Sequence, residues 1–177
     1  GKVPVKVNVP IKGTSDDDPV KKFHDSFVKL DDKFMSDASV NSLAWFKKKS
    51  LSEETIQNLY THQIRVSTDS ETGEPDGKWA PNFNFKVTKR NGKWLCRFYD
   101  ESKVKLELDV GEDEENNGVE LTSRLKKGSK VKLLLKCMGI WLASGKFGCT
   151  WRAEQMIIST PEGLDEYAFR DDDESTQ

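Results

Sequence analysis

Residues 121–153 contain no Asp or Glu but carry eight basic side chains: Arg124, Lys126, Lys127, Lys130, Lys132, Lys136, Lys146 and Arg152. Trp141, Phe147 and Trp151 are interleaved with them. Cations neutralise phosphates and release condensed counterions, and flat rings give unpaired bases a surface to stack on. Single-stranded nucleic acid needs both from a protein. The whole chain has 28 basic against 30 acidic side chains, a net charge of −2. The stretch is therefore a segregation of charge, not general basicity. The plainer reading of the same residues is a solvated strand face over core aromatics.

Other chemistries find little support. His24 and His62 have no cysteine or carboxylate nearby in the sequence at metal-ligand spacing. G-x-S-x-G, Walker and H-E-x-x-H patterns are absent. The acidic clusters fall in turn-rich segments and the C-terminal tail, poor places to hold convergent carboxylates. The expectation is a binding protein, not an enzyme, with no cofactor and no metal. Cys96, Cys137 and Cys149 are an odd count without C-x-x-C spacing, which points to reduced thiols in an intracellular protein. No apolar run approaches the ~20 residues of a membrane span, and the first residues lack the basic-then-apolar pattern of a secretory signal.

The elements that must position the basic stretch follow from periodicity. Residues 3–11 alternate apolar and polar, with Pro4 and Pro10 restricting them to a sheet edge. Asp18-Pro19 is an N-cap with proline in the first turn, and Val20, Phe23, Phe27, Leu30 and Phe34 form the stripe of an amphipathic helix. Shorter helices are expected at 41–47 and 53–60, the second capped by Ser50 with Glu53. Lys47, Lys48 and Lys49 between them read as a solvated helix end. Residues 66–77 read as an exposed acidic loop.

From Ile64 the period becomes two. Phe83, Phe85 and Val87 alternate with Asn84, Lys86 and Thr88; Asn91-Gly92 turns the chain; and Trp94, Cys96 and Phe98 alternate with Leu95, Arg97 and Tyr99. This is a strong hairpin signal. A third strand is expected over 104–110. An acidic loop at 111–118 precedes a long strand at 131–142, a turn at Ser144-Gly145-Lys146 and a return over 147–158. The fold class is mainly β with a helical insertion (α+β): a five-stranded Greek-key barrel of the OB type, with an N-terminal helical segment and an acidic C-terminal tail. A jelly roll stays open, because strand order is not legible in one sequence. One domain is expected over 1–164, with the insertion at about 18–61, and a flexible tail over 165–177.

Alternation places Lys86, Arg97, Tyr99, Lys132, Lys136 and Arg152 on one solvent face. Trp94 and Trp151 fall on the core side. Trp141 stays open between core and ligand contact, because Gly139 is placed to bulge the strand and re-aim it. Trp79 follows a turn in a polar run and is the preferred loop stacker, with a lid over the barrel mouth as the alternative. The expected interface has phosphates along Lys86, Lys89, Arg97, Lys132, Lys136, Lys146 and Arg152, and bases on Tyr99, Trp79 and Trp141.

The order Gly92-Lys93-Trp94, Tyr99-Asp100, Lys127-Gly128-Ser129-Lys130-Val131, Gly139-Ile140-Trp141, Gly145-Lys146-Phe147-Gly148 and Trp151-Arg152-Ala153-Glu154-Gln155 resembles the OB-fold single-stranded-DNA-binding proteins of large nucleocytoplasmic DNA viruses. More remotely it is similar to the small single-stranded-DNA-binding proteins of tailed phages. The likeness covers about 78–158, and Ala44-Trp45-Phe46 with Leu51-Ser52-Glu53-Glu54 resembles the viral group's helical segment. The resemblance implies a replication, recombination or repair accessory protein without enzymatic activity. It would act in the host cytoplasm, in viral factories, or in the nucleus. It also implies that an acidic tail, here Asp171, Asp172, Asp173 and Glu174, contacts replication proteins. In this chain Phe169 precedes the acidic run instead of ending it.

The leading expectation is thus a non-sequence-specific single-stranded-DNA-binding protein, monomer or homodimer, with RNA left open as ligand. The alternative is a β-sandwich interaction protein, such as an acidic chaperone binding histones or other basic partners through its acidic tracts.

Overall fold

The computed structural model describes residues 2–12, 15, 18–108, 121, 124–126 and 128–160. β1 (Lys2–Pro10) leads into α1 (Pro19–Val40), α2 (Ser42–Phe46) and α3 (Glu53–Leu59). The strands follow: β2 (Tyr60–Thr61), β3 (Ile64–Arg65), β4 (Asn82–Arg90), β5 (Lys93–Trp94), β6 (Arg97–Tyr99), β7 (Lys105–Leu106), β8 (Lys130–Ala143) and β9 (Lys146–Ser159). The protein is mainly β with a helical insertion. The acidic segment 111–118 and the tail 165–177, with Asp171, Asp172, Asp173 and Glu174, lie outside the described residues.

Helix α1 starts where its sequence says it should. The Asp18 carboxylate accepts from the Val20 N–H at 2.8 Å, and Pro19 occupies the first turn, where a missing N–H costs nothing. Phe23, Phe27 and Leu30 lie against the sheet, and the Phe27 ring centroid is 4.8 Å from Phe83 and 5.0 Å from Trp151. Burying each such ring is worth roughly 1.5–3 kcal/mol. Further along, Phe34 joins a second cluster of Ala38, Ile56, Tyr60 and Phe147. The cap of α3 differs from expectation. Ser52 accepts from the Thr55 N–H at 3.2 Å, because Ser52, not Ser50, immediately precedes the first helical residue.

β9 is the hub of the sheet. β8 runs antiparallel along one of its edges. Along the other lie β2, β4 and β6 in succession, all parallel to it, through Tyr60↔Phe147, Lys86↔Arg152 and Phe98↔Met156. β1 pairs antiparallel with β4 from Lys2↔Arg90 to Pro10↔Asn82 and ends the strand order, where Pro4 and Pro10 owe no N–H to an outer neighbour. Among the described residues nine strands share this sheet; β2, β3, β5 and β7 are two-residue pairings.

The turn between β4 and β5 is the expected one. Asn91 (φ 51°) and Gly92 (φ 75°) both take the left-handed backbone of a two-residue hairpin. The run 94–99 is not one strand, however. It leaves β4 after Trp94 and rejoins the sheet as β6 on β9, where Phe98 faces the buried Met156. The expected strand over 104–110 is reduced to β7 among the described residues.

A polar cluster ties α1 to the sheet. Asp31, 4% exposed, accepts from Tyr60 Oη at 2.7 Å and from the Gln63 N–H at 3.2 Å, and His62 Nδ1 lies 3.2 Å from its Oδ2. Gln63 Oε1 in turn accepts from Trp151 Nε1 at 2.7 Å.

Candidate nucleic-acid interface

Strand register brings the cations together. Lys6 is opposite Lys86, Lys86 opposite Arg152, and Arg152 opposite Lys136, so one row of four basic residues crosses β1, β4, β9 and β8. Register partners share a face, and strands are spaced about 4.8 Å apart, so the row spans about 14 Å. Lys6, Lys86 and Lys136 are exposed and have no ion-pair partner among the described residues. Arg152 is half-buried, and its Nε donates to Glu154 Oε1 at 3.0 Å. Like charges directly opposite one another are destabilising. The free protein carries that repulsion at three successive strand contacts, and among the described residues the Glu154 carboxylate on Arg152 offsets part of it.

Further along β9 the same face continues. Arg97 pairs with Gln155, with Leu134 on the far side of Gln155, and Tyr99 lies between Lys105 and Ile157, with Lys132 on the far side of Ile157. The residues assigned to one face by alternation (Lys86, Arg97, Tyr99, Lys132, Lys136 and Arg152) are thus brought together. A β9 bulge makes this possible: Leu134 pairs with Gln155 and Leu135 with Ala153, so Glu154 is skipped and Met156 returns to the core.

A second bulge sets Trp141. Met138 and Gly139 together face Thr150, with Gly139 at φ 104°, and the extra residue turns Trp141 to the side of Gly148 and Arg152. Trp141 is half-buried, its ring on the bare Gly148 backbone. A Cβ on Gly148 would lie 2.8 Å from Trp141 Cζ2 and 3.2 Å from Thr61 O. Gly148→Ala therefore pushes the ring from its seat. Overpacking of this kind costs about 1–3 kcal/mol, so thermal denaturation is expected to show a fall of about 2–12 °C. Lys146 is exposed beside the β8–β9 turn, on this same side.

Trp79 is 76% exposed, yet its backbone is held. Its N–H donates to Ser67 Oγ at 3.2 Å, and Ser67 is hydrogen-bonded to Asp76. Asp76 also accepts from the Lys78 N–H at 3.1 Å. The Ser67 hydroxyl, then that N–H, hold the Asp76 carboxyl below the usual range. Beside Trp79 opens a groove of 820 Å³ with Lys6, Lys12, Arg65, Lys78, Asn82 and Asn84 in its wall. Lys6 belongs to both the groove and the row, so the two surfaces are continuous.

Lys89 does not join them. It is 4% exposed, with Nζ 4.4 Å from the centre of the Trp94 ring. Position 89 has the parity of the buried Phe83, Phe85 and Val87, so its side chain faces the core and not the phosphate track on which it was expected. Lys6, Lys12, Arg65 and Lys78 are the surface residues that sequence reasoning missed. Lys6 alone had a signal, alternating with Val5 and Val7 along β1.

No family model matches the sequence, nor does any curated protein. Among solved structures the fold is similar to that of gp2.5, a single-stranded DNA binding protein encoded by bacteriophage T7. The two share 15% identity with a TM-score of 0.45, over 97% of this chain and 82% of that one. A likeness of that size leaves both fold type and ligand to be read from the chain's own geometry.

Proposed function

We propose that this protein binds single-stranded DNA without strong sequence preference, as a non-enzymatic accessory of replication, recombination or repair built on an OB-type barrel. The observation that carries the reading is the in-register row Lys6, Lys86, Arg152 and Lys136. A polyanion laid across it replaces cation–cation repulsion with cation–phosphate contacts. Unpaired bases are favoured over a duplex because Trp79, Trp141 and Tyr99 flank the cations, and rings can stack only on bases that are not already stacked in a helix.

Tryptophan-fluorescence titration with oligo-dT, a matching duplex and a matching single-stranded RNA, each at two salt concentrations, tests this. Quenching by oligo-dT is expected, with a log–log salt slope of about −0.7 per phosphate contacted. Duplex binding as tight as oligo-dT binding, or no binding at low salt, would overturn the proposal. Trp79→Ala is expected to weaken oligo-dT binding by about 1–3 kcal/mol, the value of one stacked base. Its melting temperature should stay unchanged, since the ring is exposed.

A further inference from the structure

Cys137 and Cys149 are free thiols whose sulfurs are 3.3 Å apart across the β8–β9 ladder. The contact sits at the bulge: Cys137 pairs with Trp151, so Cys149, two residues from Trp151 on the same face, is its diagonal neighbour. Cys137 is exposed and Cys149 buried. Burial, then the Cys137 contact, push the Cys149 thiol up to about 12, which leaves Cys137 as the sulfur that meets an oxidant first.

The geometry points to a peroxide-responsive dithiol at Cys137 and Cys149, which closes to a disulfide and fixes the bulge that aims Trp141. In the first step the Cys137 sulfur takes one peroxide oxygen as the O–O bond breaks. The thiol proton leaves with the other oxygen as water. The Cys149 sulfur then bonds to Cys137 Sγ, the S–O bond breaks, and the Cys149 proton departs with the hydroxyl as a second water. The two thiols are oxidised together by two electrons and the peroxide is reduced. Met138, Gly139 and Trp141 lie between the bridgeheads in the chain, and the Trp141 ring rests on Gly148, next to Cys149. A staple there therefore removes the freedom of that segment. Its effect on DNA rests on the function proposed above: a ring already held in place loses less freedom when a base stacks on it.

The test treats the full chain with hydrogen peroxide and compares it with reduced protein and with Cys137→Ser, a substitution at an exposed position. Peptide mass mapping is expected to show a Cys137–Cys149 cross-link with a loss of about 2 Da, absent from the variant. Amide hydrogen exchange over 138–142 is expected to slow about tenfold in the oxidised protein, and oligo-dT to bind about threefold tighter. No cross-link, or one through Cys96, overturns the proposal. A cross-link that leaves both exchange and affinity unchanged overturns the switch. If the cross-link forms and exchange slows while neither redox form binds oligo-dT, the dithiol stands and the DNA-binding reading falls.

Discussion

Lys86→Glu combined with Lys136→Glu is expected to weaken binding to oligo-dT about 100-fold at 0.1 M salt while making the free protein more stable, not less. Counterion release at a slope of about 0.7 per contact is worth a factor of about 5 per phosphate at that salt. Losing two contacts costs about 25-fold, and two new negative charges on the strand's path add repulsion. The salt slope should fall by about 1.4. Stability moves the other way, because the substitutions turn the contacts Lys6–Lys86, Lys86–Arg152 and Arg152–Lys136 from like to opposite charge. Cross-strand pairs of this kind are worth about 0.2–1 kcal/mol each, so three of them should raise the melting temperature by about 1–12 °C. A surface row with no ligand would show only the gain in stability. A drop in melting temperature would mean that these lysines support the fold, and the basis of the proposed interface would be lost.

The sequence disclosed faces but not neighbours. Parity along each strand put Lys86, Arg97, Tyr99, Lys132, Lys136 and Arg152 on one side, because one side of each strand must be buried. Nothing in parity says that β9 takes β2, β4 and β6 as parallel neighbours on one edge. The alignment of Lys6 with Lys86 and Arg152 was therefore invisible, although each residue was in view. Bulges limit parity further. Gly139 announced the one that re-aims Trp141, whereas the one at Glu154 has no glycine or proline to mark it. The wall around Trp79 was hidden for another reason: Lys12 and Lys78 fall outside strands and Arg65 in a two-residue strand, where no period operates. Asp31 did leave a trace. It is four residues after Phe27 and next to Leu30, a charged residue inside an apolar stripe, and such a position calls for a buried partner.

Asp31→Ala is expected to destabilise the protein by about 3–5 kcal/mol in chemical denaturation. The substitution leaves the Tyr60 hydroxyl and the Gln63 N–H, which Asp31 bonds at 2.7 Å and 3.2 Å, without an acceptor. Each orphaned buried donor costs about 1–3 kcal/mol, against a total stability of about 5–15 kcal/mol. Asp31→Asn keeps one carbonyl acceptor and should cost less. It also isolates the charge. Burial raises the Asp31 carboxyl above its usual 3.8, outweighing the hydrogen bonds from Tyr60, Gln63 and His62. A carboxyl with a raised native value binds its proton more tightly folded than unfolded. Its contribution is therefore greatest below about 3.8 and declines as pH rises through the raised value. Subtracting the Asp31→Asn curve from wild type should expose that decline, and a difference that grows with pH would contradict it. The cluster matters for the interface as well as for stability. Gln63 holds Trp151 at 2.7 Å, one residue before Arg152, and Thr61 pairs with Gly148, on which Trp141 rests. An Asp31→Ala protein still folded at low temperature should therefore bind oligo-dT more weakly, although Asp31 faces the core and touches no part of the basic row.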